Sequence, residues 1–166
     1  MKRIMTVFLA IVMLCLLGCT KEKEVIQHPV NFYYHSNLSS DENFDQIIIA
    51  EIREGANCSS EELISQYLLG PNSNELENPF PEGIHLVSLR VDAKRIIISL
   101  SESFSQLDGI DMTLACSCLA TTLFDLYDCN TVEIVSEGLF VSGKSSVVLQ
   151  REDLILFDSS YISRSE

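Results

Sequence analysis

Gly70-Pro71-Asn72-Ser73-Asn74-Glu75-Leu76-Glu77-Asn78-Pro79-Phe80-Pro81-Glu82-Gly83, with Ile84 to Leu100 behind it, is the stretch that decides the fold. Gly70-Pro71 stops a helix arriving from the N-terminal side, because glycine accepts the left-handed end position and proline does not continue a helix. Pro79 and Pro81 hold Asn78 and Phe80 extended, so the Phe80 ring rides on a stiff arm. That ring has two readings, a plug under the loop or an exposed anchor for a partner. Glu82-Gly83 turns the chain into a strand. Val87, Leu89 and Val91 alternate along Ile84–Val91, and Ile96, Ile98 and Leu100 alternate along Arg95–Leu100. Asp92-Ala93-Lys94 between the runs has hairpin length. The pattern predicts a hairpin with one apolar face, covered by a helix before it and a helix after it.

Upstream, Ser59 and Glu62 form a capping box, and Leu63/Tyr67 and Ile64/Leu68 follow at helical spacing up to Gly70. Val30–His35, with Phe32-Tyr33-Tyr34, and Gln46–Arg53, with its β-branched run, read as strands. Downstream, Ser101–Asp108 reads as a loop plugged by Phe104 and Leu107. The longest helix is expected over Asp111–Tyr127, with Met112, Ala115, Cys116, Leu119, Leu123 and Leu126 on one face. Thr131–Val135 is a strand, and Leu139–Val141, Val147–Leu149 and Leu154–Phe157 read as short C-terminal strands. The order implies an α+β fold: a small mixed or antiparallel sheet with two helices packed on one face.

The first residues have a different character. Lys2 and Arg3 precede an apolar run, Ile4–Leu17, of about 14 residues, short of the roughly 20 that a membrane span needs. Leu16-Leu17-Gly18-Cys19 closes it as a lipobox. A small residue before the cleavage point suits the peptidase, and the thiol of Cys19 takes the lipid. The expected organisation is a signal peptide over 1–18, a tether over 19–29, one domain over 30–158 and a tail over 159–166. Cys15 leaves with the signal, and two or three acyl chains at about 0.8 kcal/mol per buried CH₂ hold the protein on a membrane.

The chain carries a net charge of −13 over 166 residues. Loss of Lys2 and Arg3 leaves nine basic residues against 24 acidic ones, a net of −15. That balance argues against nucleic acid and against polybasic attraction to anionic lipid. Cys58, Cys116, Cys118 and Cys129 remain in an exported chain, where disulfides are permitted. Cys116 and Cys118 lie two apart on a helix and face different ways, so they read as small core or helix-surface residues. A Cys58–Cys129 bridge stays open. The three histidines, His28, His35 and His85, stand at no metal-ligand spacing and read as structural or solvated. There is no G-x-S-x-G elbow and no glycine-rich phosphate loop. Glu61-Glu62, Asp41-Glu42 and Glu152-Asp153 sit at a helix start or in loops, where solvation or the helix dipole accounts for them. Neither a catalytic set, a metal nor a cofactor is expected.

Tyr67-Leu68-Leu69-Gly70-Pro71 followed by Asn78-Pro79-Phe80-Pro81-Glu82-Gly83 resembles the core pattern of the GerMN domain, a family named for a sporulation and germination lipoprotein. Leu86-Val87-Ser88-Leu89, Ile98-Ser99-Leu100-Ser101 and the helix from Asp111 to Ala120 fit the same pattern. So do Phe32-Tyr33-Tyr34, Glu51-Ile52-Arg53 and Leu154–Asp158. The resemblance spans Phe32 to Asp158, and its outer residues look like those of single-domain lipoproteins of the family. It implies a fold like the ring-building motifs of secretion machines and a non-enzymatic module on the extracytoplasmic face of the cell membrane. Its partners would be proteins of an envelope complex, or further copies of itself, and only Cys19 carries over as a functional residue. The other reading is a lipoprotein that binds cell-wall glycan or peptide, with Phe32-Tyr33-Tyr34 as the platform.

Overall fold

Val30, Phe32, Tyr34 and Ser36 alternate with half-buried residues along the first long strand, and this two-residue period sets which side of it is core. The computed structural model describes residues 25–26, 29–36, 47–54, 58–141 and 143–157. Nine strands are described: β1 (Val25–Ile26), β2 (Val30–Ser36), β3 (Ile48–Arg53), β4 (Cys58–Ser59), β5 (Leu76–Glu77), β6 (Leu86–Asp92), β7 (Arg95–Leu100), β8 (Thr131–Ser136) and β9 (Ser146–Gln150). Among the described residues the α-helices are α1 (Ser60–Leu68) and α2 (Gly109–Leu126). The fold is α+β. Its strands divide into a three-stranded antiparallel sheet ordered β3-β2-β5, a four-stranded mixed sheet ordered β6-β7-β8-β9, and the small β1-β4 pair.

The hairpin forms as its sequence predicts. Asp92 pairs with Arg95, which leaves Ala93-Lys94 as the turn. Ala93 takes a φ of 50°, a left-handed conformation that costs a non-glycine residue about 1 kcal/mol. The turn is held from outside, since the Lys94 carbonyl accepts from the backbone N–H groups of Asn130 and Thr131. The second strand keeps its pattern, with Ile96, Ile98 and Leu100 buried. The first strand does not: Val87 and Val91 are 60% and 51% exposed. A register shift between Leu86 and Ser88 takes Val87 out of line, and β6 is an edge strand, so Val91 is open to solvent although it pairs with buried Ile96.

The polypeptide leaves β7 through a 3-10 helix, Glu102–Gln106, crosses in α2 and returns in β8, parallel to β7. The 3-10 helix replaces the expected loop but buries Phe104 as the expected plug. Helix α2 begins at Gly109, two residues before the expected start. It packs against both β2 and β8. Thr122 Oγ1 accepts the Tyr33 N–H at 3.0 Å, and Asn31 donates to Asp125 at 2.8 Å. The helix thus satisfies part of β2 as a strand would.

Two expected strands are absent at the C-terminal end. Leu154–Phe157 lies in a 3-10 helix, Arg151–Phe157, because Asp153 accepts the Gln150 N–H and bends the chain there. Leu139–Val141 is reduced to one bridge between Val141 and Lys144, with Leu139 buried after the turn. The stretch 19–29, read as a tether, contains β1, whose Val25 and Ile26 pair with Ser59 and Cys58.

Candidate interaction surface

The capping box stands as read. The Ser59 N–H donates to Glu62 Oε2 at 2.8 Å, and Ser59 Oγ accepts the Glu62 N–H. It starts a nine-residue helix whose buried face is Leu63, Ile64, Tyr67 and Leu68. The Tyr67 hydroxyl donates to the Tyr33 carbonyl at 2.8 Å, and the Tyr34 hydroxyl donates to the Tyr67 carbonyl at 2.9 Å. Burial raises both phenol pKa values, so both stay protonated donors. Phe32, Tyr34 and Phe80 surround the Tyr67 ring at centroid distances of 5.0–5.2 Å.

The two halves of the Gly-Pro and Asn-Pro-Phe-Pro stretch meet at one point. Gly70 has a φ of +101°, and a Cβ there would lie 2.9 Å from the Asn78 amide nitrogen. Asn78 fills the place of a side chain at 70, and its Oδ1 accepts the Phe80 N–H, which aims the ring at Tyr67. Phe80 is therefore a plug and not an exposed anchor; it is 6% exposed. Arg53 and Glu51, two apart on β3 and so on one face, close the assembly. The Arg53 guanidinium donates to the Gly70 carbonyl at 2.8 Å and to Glu51 Oε1 at 2.5 Å, above the rings of Phe32 and Tyr34. Glu51 Oε2 accepts the N–H groups of Asn72 and Ser73. Tyr67, Gly70, Asn78 and Phe80, four of the residues that carry the resemblance, are thus engaged in holding the loop to the sheet, whereas Leu69 is exposed.

His35 pairs with Glu77 at 3.7 Å across β2–β5, and the His85 ring faces the Gly83 carbonyl. Among the described residues no group of three His, Cys, Asp or Glu side chains is placed to hold a metal ion. Cys116 and Cys118 are buried, which pushes both thiols up to about 12. Cys129 is a buried free thiol, so the Cys58–Cys129 bridge is not formed. Leu16, Leu17, Gly18, Cys19 and His28 lie outside the described residues.

An open cleft of about 410 Å³ is lined by Asn130, Gln150, Arg151 and Glu152. Sequence reasoning missed Arg151. Its guanidinium donates to the carbonyls of Phe124, Tyr127 and Cys129, and so compensates the C-terminal end of α2. The available signal was the last turn of α2, which has no basic residue of its own.

Several of the exposed large apolar side chains lie on strand edges and turns; Leu69, at the C-cap of α1, and Ile110, on α2, are exposed as well. Val87 and Val91 are on the β6 edge, Ile52 is on the β3 edge, and Phe140, 75% exposed, follows the turn after β8. Edge strands offer backbone donors and acceptors to an added strand, with alternate side chains for specificity. The aromatic run proposed as a glycan platform is not on this surface, since Phe32 and Tyr34 are buried and Tyr33 is half-buried.

Residues 31–141 match a family model described as Germane, sporulation and spore germination. The tandem GerMN domains of the sporulation protein GerM from Bacillus subtilis align at 19% identity with a TM-score of 0.52. That alignment covers 74% of this chain and 42% of that one, so the chain spans about two-fifths of the tandem protein. The first GerMN domain of the same protein aligns alone at 15% identity, with a TM-score of 0.54, over 75% of this chain and 98% of that one. No curated protein matches the chain.

Proposed function

From the premise that this chain belongs to the Germane family of sporulation and spore germination proteins, we propose that it is a non-enzymatic, lipid-anchored interaction module on the extracytoplasmic face of the cell membrane. Cleavage after Gly18 and acylation of Cys19 provide the anchor, and Leu16-Leu17-Gly18 form the recognition sequence. The partner is a protein of the cell envelope, or a second copy, that adds an extended segment to a sheet edge. The supporting observation is the β6 edge: seven residues long, at the margin of the mixed sheet, with Val87 and Val91 open to solvent. The burial of the family's characteristic aromatics supports the same reading, because they form scaffold and leave recognition to the edges.

The test uses the full-length tagged protein in its own membrane, with a photoreactive residue in place of Val91. The expected result is one discrete protein adduct, lost when Ser88→Pro disrupts the edge. Adducts with cell-wall fragments and no protein would favour glycan or peptide binding instead. The mass of the mature N-terminus checks the anchor: it should be an acylated Cys19, and Cys19→Ala should leave an unprocessed chain.

A further inference from the structure

We propose that β1 turns one defined end of the domain toward the bilayer, so that the lipid anchor orients the protein as well as retaining it. The inference rests on the lipid-anchored reading of Cys19. Thr20 to Glu24 are the residues between that cysteine and β1. Fully extended, the six steps from Cys19 to Val25 reach ~20 Å, against ~38 Å if the chain were free as far as Val30. A domain of this size is ~35 Å across, so the longer reach would permit most orientations and the shorter one would not.

The location of β1 determines which end faces the membrane. Its Val25 and Ile26 pair with Ser59 and Cys58, immediately before α1. Ile26 is separated from Val30 by three residues, and Arg53, paired with Val30, is separated from Cys58 by four. Two short connections therefore hold the β1-β4 pair to the Val30/Arg53 end of the three-stranded sheet. The other end of β2, where His35 and Ser36 pair with Glu77 and Leu76, lies ~20 Å further along the strand. The partner at the near end is a lipid surface, held at a short stand-off. Glu54 and Glu61 are exposed there, and like charge keeps an anionic headgroup layer from adsorbing the domain. Position and not adhesion sets the orientation, and the β2–β5 end faces away from the lipid.

The experiment uses the acylated full-length protein in vesicles carrying a dilute acceptor-labelled lipid. Cys58→Ser provides a background in which the remaining domain thiols are buried, and Glu61→Cys or Glu77→Cys places a donor dye at either end. Transfer to the lipid should be roughly twofold higher from position 61, given the ~20 Å between the ends. Inserting a flexible linker of about twenty residues between Glu24 and Val25 should erase the difference while the protein stays bound. The Val25→Pro/Ile26→Pro variant should weaken it by releasing β1. Equal transfer from both positions in the membrane-bound protein would overturn the orientation and leave the anchor intact. Failure of the unmodified protein to carry lipid on Cys19 would overturn the anchor and the orientation together.

Discussion

Around β2 the core is held by directed contacts: two tyrosine hydroxyls donating to backbone carbonyls, four packed rings, and a guanidinium that joins Glu51 to the Gly70 carbonyl. Around β7 and β8 it is held by aliphatic burial, with Ile96, Ile98, Leu100, Val132 and Ile134 at or below 1% exposure under Leu119 and Leu123. The first arrangement fixes a loop that has almost no regular structure of its own. The second needs no direction, because two central strands and a helix supply their own backbone hydrogen bonds. Where secondary structure is sparse, side-chain polar groups take over its role; where it is dense, shape suffices.

Truncation at the centre of each region should produce the largest effects. Tyr67→Ala is expected to cost about 4 kcal/mol, since it removes a buried ring and leaves the Tyr33 carbonyl without its donor. Ile98→Ala should cost about 3 kcal/mol through its cavity alone. The sharper test is the milder pair. Tyr67→Phe keeps the volume and should still cost about 1–2 kcal/mol, whereas Ile98→Val should cost about 1 kcal/mol in proportion to the methyl lost. Urea unfolding of the four variants measures this. A neutral Tyr67→Phe would break the distinction, because the region around β2 would then be closed by ring packing alone.

Gly70→Ala comes next. The φ of +101° and the Asn78 side chain both oppose a Cβ, and the cost should be about 1–2 kcal/mol. Adding Asn78→Ala removes the two closest atoms, Nδ2 and Cγ, and leaves the Cβ contact at 3.1 Å and the backbone strain. The double variant should therefore destabilise by less than the sum of the two single ones, read as non-additivity in the same unfolding experiment. Additive costs would mean that the two halves of the loop do not meet at this glycine.

The contrast also explains what the sequence reveals. The capping box of α1, the Gly70-Pro71 stop, the alternation of β7 and the apolar face of α2 are local patterns, and each appears where its spacing places it. The plug role of Phe80 is legible only in part, because two prolines stiffen the arm but do not say toward what it points. Long-range polar contacts leave no spacing at all: Thr122 with the Tyr33 N–H, Arg151 with the end of α2, and Glu51 with the loop at Asn72 are 89, 27 and 21 residues apart. The division into two sheets has the same cause, since α2 occupies a place beside β2 that local patterning assigns to no element. The β6 edge misleads for another reason. Val87, Leu89 and Val91 alternate perfectly, but a bulge and an edge position are properties of the partner strand and of the sheet, and these bring two of the three valine and leucine side chains to the surface. The candidate surface is therefore the part least legible beforehand.

The smallest effect tests whether the mixed sheet is as indifferent to charge as its core suggests. Arg95 donates to Glu133 at 2.6 Å across β7 and β8, and this hydrogen bond holds the Glu133 carboxyl below the usual 4.5. A carboxylate with a depressed folded value contributes stability that is complete above 4.5 and is lost as pH falls through the folded value. Glu133→Gln should therefore flatten the acid limb of the stability curve below pH 4.5 and slightly lower the plateau above it. The Tyr34 and Tyr67 hydroxyls contribute nothing in that window, because burial raises both phenols and they stay neutral throughout it. An unchanged acid limb in Glu133→Gln would mean that the Arg95–Glu133 pair adds nothing to the stability of the mixed sheet. A steeper one would mean that the carboxylate is repelled by its acidic surroundings more strongly than Arg95 holds it.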